Sequence, residues 1–170
     1  MIAVNPTDLV VEKIDDVRLP LVNKFYKQEK DGARAKRGEY VYALRYCGNI
    51  IGALRIQPMH EEWFLRSMLV SSNYQRQGLG KRFLSTVFQD FLTLNECHKN
   101  ETSCLEKFSL VGEPFQERTC FCFPYVHLVS FYHSVGFYCV PLSNELMFIQ
   151  QAFTRYTNQG RDITVMRVGY

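Results

Sequence analysis

Seven consecutive residues have types and spacing suited to holding a pyrophosphate: Gln75, Arg76, Gln77, Gly78, Leu79, Gly80 and Lys81. They stand between a hydrophobic run and a long amphipathic stretch, the setting of a loop that opens into a helix. A pyrophosphate needs several backbone N–H donors pointing one way. The first turn of a helix supplies them, together with the positive end of its dipole. Gly78 and Gly80 take away the Cβ atoms that would hold a phosphate off that backbone, and Arg76, Lys81 and Arg82 add positive charge. A plain flexible turn before a helix fits the same residues. Two other phosphate patterns fail: Phe83 occupies the third glycine position of the dinucleotide fingerprint, and no glycine precedes Gly80-Lys81 at P-loop distance.

Further chemistry is suggested upstream. Glu62, Phe64, Arg66, Met68 and Val70 share one face of a strand by two-residue periodicity. Arg66, in the middle of a hydrophobic run, needs an anionic partner. That partner is either Glu62 in a structural pair or the carboxylate of an amino-acid-like substrate. Glu61 and His60 sit in the adjacent turn. Lys24, Lys27, Lys30, Arg34, Lys36 and Arg37 form a basic run with the spacing of a solvated face. The six cysteines include no C-x-x-C pair, and His98 beside Cys97 lacks a partner set, so no metal is expected. Cys120 and Cys122, two apart in a strand, point to one face as buried thiols.

The elements that must position these residues alternate in type. Leu9 to Ile14 reads as a strand. Asp15 and Asp16 cap a helix in which Val17, Leu21, Val22, Phe25 and Tyr26 recur at helical spacing, with Pro20 near its first turn. Glu39–Tyr46, Ile50–Gln57 and Glu62–Val70 form an antiparallel meander, its first link the hairpin turn Cys47-Gly48-Asn49. A helix from Leu79 to Leu94 carries a broad apolar stripe through Phe83, Val87 and Phe91. Asn95 to Arg118 is polar and loop-rich. Strands are expected at Cys120–Val126, Phe137–Val140 and Asp162–Val168, with helices at His127–Val135 and Asn144–Tyr156. The whole chain, residues 1–170, reads as a single domain of α/β (α+β) class. Its central, mostly antiparallel twisted sheet is flanked by helices on both faces.

Composition bounds the function. Lys and Arg number 20 against 17 acidic residues, a formal charge of +3. That is too mild to imply nucleic acid, yet it suits an anionic cofactor. No stretch approaches the roughly 20 apolar residues of a membrane span. The opening MIAVNPTDLVVEKIDD lacks the basic and apolar regions of an export signal, so a cytoplasmic location is expected.

The chain resembles the GNAT superfamily of N-acetyltransferases. QRQGLG matches that family's (Gln/Arg)-x-x-Gly-x-(Gly/Ala) motif, LRSMLVSSNY is similar to the strand and loop leading into it, and FYHSVGF matches its F-Y-x-x-x-G-F. The resemblance implies the family fold, in which the central strand splays from its neighbour after a bulge. It also implies acetyl-CoA as co-substrate, with pantetheine against the backbone of Met68, Leu69 and Val70 and pyrophosphate on the amides of Arg76 to Lys81. Tyr132, the tyrosine of the second motif, would protonate the departing thiolate. Relatives often place a Glu or His base where this sequence has Phe64 and Arg66. Glu62, acting directly or through water, is the substitute candidate, and Arg66 is a candidate for binding substrate. The implied activity is acetyl transfer to a primary amine of a small molecule or protein, by direct attack in a ternary complex. A homodimer is compatible with this. The alternatives are a non-catalytic acyl-CoA sensor and a basic nucleic-acid-binding module, the latter without a recognisable motif.

Overall fold

The computed structural model describes residues 4–60, 62–101, 119–142 and 147–169. Its strands are β1 (Leu9–Ile14), β2 (Tyr40–Tyr46), β3 (Asn49–Met59), β4 (Glu62–Val70), β5 (Cys120–Cys122), β6 (Tyr138–Cys139) and β7 (Met166–Val168). Its helices are α1 (Leu19–Gln28), α2 (Leu79–Glu101), α3 (Val129–His133) and α4 (Met147–Thr157). The strands form one sheet in the order β1-β2-β3-β4-β5-β7-β6. Among the described strands only the β4–β5 pair is parallel; the other pairs are antiparallel. The expected mixed, mostly antiparallel sheet is therefore present.

The alternation of side chains along these strands dictates the layers. Tyr42, Leu44, Leu54 and Ile56 join Leu65, the α2 residues Phe83, Leu84, Val87 and Phe91, and Tyr132 in one buried cluster. Val41, Ala43 and Ala53 pack against Val22, Phe25 and Tyr26 of α1 on the opposite face. On that same face Phe64 and Phe121 meet Ile149 of α4. Helices therefore cover both faces. The apolar stripe of α2 provides much of the driving force, each fully buried Phe or Leu contributing roughly 1.5–3 kcal/mol of transfer free energy.

The first hairpin closes on Cys47 and Gly48, whose φ values of +46° and +79° form the left-handed pair that matches strand twist. Several expectations need correction. Val17 precedes α1 and is 87% exposed. Asp15 accepts the Arg18 N–H at 2.9 Å, capping the turn before the helix instead of the helix itself. Residues 95–101 continue α2, whereas 102–118 lie outside the described residues, as do Glu61 and the expected start of α4 at 144–146. The later strands are shorter than expected, since each ends where its partner does. Their pairings extend over only two or three residues. The expected helix 127–135 is a 3₁₀ turn, Val126–Leu128, followed by α3. Gly136, at φ +93°, stops α3, and the Phe137 N–H closes back on the Tyr132 carbonyl at 3.1 Å.

Candidate functional site

Strand β4 pairs with β3 from Glu62 to Val70 but with β5 only at Trp63 and Phe64. Beyond Phe64 the two strands part. The divergence has a local cause in β4, where Ser67 adopts φ +49° and the β3–β4 register shifts between Ala53 and Arg55. Two residues, Ser67 and Met68, then oppose Leu54 alone, a bulge that adds twist and turns the strand away from its neighbour. Two side chains hold it. The buried Tyr26 hydroxyl donates to the Ser67 carbonyl at 2.8 Å, and Arg55 Nη2 reaches Ser67 Oγ at 3.4 Å.

The bulge also resets the alternation. Phe64 faces α4, whereas Met68 belongs to the α2 cluster, its Cε 3.6 Å from where a Cβ on Gly80 would stand. The single face expected for Glu62, Phe64, Arg66, Met68 and Val70 is thus split at Ser67. The Ser71 N–H donates to the Ile51 carbonyl at 2.8 Å. By antiparallel alternation, Leu69 directs its backbone groups to β3 and Val70 directs its own to the splay. The Val70 carbonyl is met by Gln75 Nε2 at 2.8 Å, tying the loop to the end of β4.

From that loop the chain enters α2. Arg76 and Gly78 have φ of +61° and +74°. The Arg82 N–H to the Gly78 carbonyl, 3.1 Å, opens the helix, so the N–H groups of Leu79, Gly80 and Lys81 precede any intrahelical acceptor. No acidic residue occupies the first turn; Lys81 and Arg82 stand there instead, exposed. Positive side chains beside a positive dipole end disfavour each other, and an anion relieves both. Gly78 is needed for its conformation, having nothing within 4 Å of an added Cβ. A Cβ at Gly80 would meet the Phe131 ring at 3.5 Å, ordinary contact, so packing alone does not demand glycine there.

Where β4 and β5 part lies a cleft of about 860 Å³, lined by residues that include Leu65 to Met68, Pro124, Leu128 and Tyr132. Tyr132 is 9% exposed, its ring edge-on to Phe131 and Phe137 at 5.1 and 5.5 Å. Burial, with a smaller contribution from Cys122, pushes its phenol above the ordinary value, so it stays protonated at neutral pH. His127 and His133, flanking it in sequence, are exposed.

Arg66 also lines the cleft, but the pair with Glu62 is not formed. Its Nη1 donates to the Tyr156 hydroxyl at 2.7 Å and its guanidinium stacks 4.4 Å from the Phe64 ring. Burial raises the Tyr156 phenol. The Arg66 charge and hydrogen bonds from Arg66 and Arg155 outweigh that and hold it below its usual value. Glu62 lies at the other end of β4, outside the cleft lining, where its Oε2 accepts the Thr119 N–H at 3.1 Å. The basic run divides: Lys24, Lys27 and Lys30 are exposed on or just beyond α1, while Arg34 and Lys36 reach the cleft.

Sequence reasoning missed the Arg55–Glu39 pair, whose side chains are 11% and 5% exposed and which lines the same cleft. Arg55 interrupts a hydrophobic strand as Arg66 does, and that signal was available. Tyr26 and Tyr156 carried none, because their partners lie 41 and 90 residues away. Cys120 and Cys122 are buried, and burial raises both thiols. Among the described residues no group of three His, Cys, Asp or Glu could hold a metal ion.

Among curated proteins, no sequence matches the chain. Solved structures do match its fold. The ribosomal-protein-S18-alanine N-acetyltransferase from Escherichia coli superimposes with a TM-score of 0.54 at 14% identity, covering 95% of this chain and 93% of that one. A GNAT family acetyltransferase from Elizabethkingia anophelis with acetyl-CoA bound gives 0.53 at 15%, over 96% and 99%. An Arabidopsis thaliana protein in complex with the bisubstrate analogue CoA-Ac-MVNAL gives 0.57 at 14%, over 96% and 99%. At such identities the likeness speaks to the fold. Residues 11–106 match the sequence pattern of the Acetyltransferase (GNAT) family, and the chain belongs to that family of acetyltransferases.

Proposed function

We propose that the protein is an acetyl-CoA-dependent N-acetyltransferase acting on a primary amine of a small molecule or protein by direct attack in a ternary complex. The observation that carries this is the parting of β4 from β5. It opens a cleft that holds the protonated Tyr132, close to an α2 start whose amides lack intrahelical acceptors. Relatives of the same fold are solved with acetyl-CoA or a CoA bisubstrate analogue.

The residues fit such a ligand. Leu79, Gly80 and Lys81 offer backbone N–H groups to a pyrophosphate, Gly78 allows the left-handed turn before them, and Arg76 and Lys81 add charge. Met68 and Val70 border the splay, where a pantetheine chain would lie. Acetyl-CoA bound there supplies the activated acyl group as a thioester. Tyr132 donates its proton where negative charge develops on the leaving sulfur. The carboxylates in the cleft lining are engaged: Glu39 by Arg55, and Asp31 by the Ala33 N–H at 2.7 Å. Glu62, outside the lining and itself accepting the Thr119 N–H at 3.1 Å, is the base proposed here, drawing the amine proton through waters.

The place of Glu62 outside the cleft, and the lack of a histidine among the described residues lining it, favour a second reading, a non-catalytic acyl-CoA sensor. Thiol release from acetyl-CoA over a panel of amines separates the two. Amine-dependent release lowered by Tyr132→Phe supports the transferase; tight acetyl-CoA binding with no release on any amine supports the sensor. No described helix is long and apolar enough to cross a membrane. The free thiols Cys47 and Cys139, both exposed, fit the reducing cytosol proposed as its location.

A further inference from the structure

A half-buried guanidinium ordinarily has a carboxylate beside it. Arg66 has none: the ion pairs of the described residues join Arg18, Arg45 and Arg55 to Glu12, Asp15 and Glu39. Its Nε is buried and finds no hydrogen-bond partner. A buried donor left in that state is costly to the fold. The plane is nonetheless held in place. Phe64 lies 4.4 Å on one side, the Tyr156 ring centroid is 5.7 Å away, and the Tyr156 hydroxyl accepts Nη1.

Tyr156 strengthens the case. Its oxygen accepts from Arg66 at 2.7 Å and from Arg155 at 3.4 Å, so its own proton is left to donate. The Arg161 guanidinium sits 4.8 Å from the same ring. This corner of the cleft therefore presents donors and positive charge, while the carboxylates in the lining are held elsewhere by Arg55 and the Ala33 N–H. A guanidinium fork of fixed plane is the group best matched to a carboxylate.

We infer that the acceptor amine carries a carboxylate, received by Arg66 and Tyr156 in the cleft that also holds Tyr132. The inference rests on the transferase reading and gives it a substrate class. An anion fixed at Arg66 brings the amine of the same molecule into the cavity lined by the Tyr132 phenol. The carboxylate belongs either to a free amino acid or to an acidic peptide with a free N-terminus, and the two share this chemistry.

The test compares each amino acid with its carboxamide as acceptor, and each acidic peptide with its amidated counterpart. Acids should exceed carboxamides in kcat/KM by about tenfold to a hundredfold, the range for losing a charge-assisted hydrogen bond. Arg66→Gln should bring that ratio near one by lowering kcat/KM for the acids far more than for the carboxamides, and Arg66→Lys should restore part of it. Preference confined to free amino acids or to peptides identifies the source. Equal use of acid and carboxamide by the wild type, or an equal loss of both in Arg66→Gln, overturns the inference. A second readout does not depend on turnover: with CoA present, calorimetry of an N-acetyl amino acid against its N-acetyl carboxamide should show the same preference and the same loss in Arg66→Gln. Should that preference appear while no amine is acetylated, the carboxylate site stands and the transferase reading falls. Should amines be acetylated with no such preference, the reverse holds.

Discussion

Replacing Tyr132 by Phe would separate catalysis from architecture, because the proposed mechanism uses the hydroxyl while the ring packs in the core. The ring packs edge-on against Phe131 and Phe137 at 5.1 and 5.5 Å, and Phe keeps both contacts. Tyr132 lines the cleft. Loss of its hydroxyl removes no ion pair and leaves no new buried charge, so stability should stay within about 1 kcal/mol of wild type. The proposed pyrophosphate contacts lie at the start of α2, so acetyl-CoA affinity should hardly move. Turnover is different. A group that protonates a leaving atom contributes about a hundredfold to ten-thousandfold, and kcat should fall by that amount. The sign of the pH effect follows from burial. Burial, ahead of Cys122, raises the phenol above its ordinary value, so it is protonated throughout the neutral and mildly alkaline range. The loss in kcat should therefore be the same from about pH 6 to about pH 9, without a change in the shape of the profile. Pre-steady-state thiol release, calorimetric affinity and thermal melting measure the three quantities on one preparation. Wild-type turnover in a variant whose chemical step is rate-limiting would refute the assignment. A large fall in Tm would show that the hydroxyl serves the core.

Gly78→Ala should cost about 1–2 kcal/mol through its φ of +74° alone, since nothing lies within 4 Å of the added methyl, and should also weaken acetyl-CoA binding by calorimetry. Gly160→Ala, with φ +78° and equally open space, is the control that should lose stability without losing affinity. Either Glu39→Gln or Arg55→Met alone should cost about 3–5 kcal/mol in denaturant unfolding, because each strands a buried charge or donor, whereas the double change to Leu and Met should recover part of the loss. Among the described cysteines, Cys47 and Cys139 should react with a thiol reagent in the folded protein, and Cys120 and Cys122 only after unfolding, which peptide mapping would show.

The parts of the fold that follow from local pattern were legible in the sequence. Glu62–Val70 could be bounded from its hydrophobic run, and the Cys47-Gly48 turn from its length. The glycine-containing loop before α2, and the Phe131-Tyr132 motif ahead of Gly136, were likewise readable from residue type. What was not legible depends on distant partners. The bulge at Ser67 places a non-glycine residue at positive φ, a conformation sustained by Tyr26 and Arg55 from other elements. Missing it led to one face being assigned to residues that lie on two. Arg66 was recognised as needing a partner, yet its neighbour Tyr156 enters only when α4 folds back over the sheet. The short strands β5, β6 and β7 end by pairing rather than by propensity, which no run of residues announces.

Acetyl-CoA is proposed to lie in the opening between β4 and β5, its pyrophosphate on the first amides of α2 and its acyl end beside Tyr132. A crystal structure of the protein with CoA tests this most directly. Phosphate oxygens should lie within hydrogen-bond distance of the N–H groups of Leu79, Gly80 and Lys81, and the thiol sulfur next to the Tyr132 hydroxyl. Phosphates bound elsewhere, or a sulfur turned away from Tyr132 in a cleft that stays open, would contradict that placement.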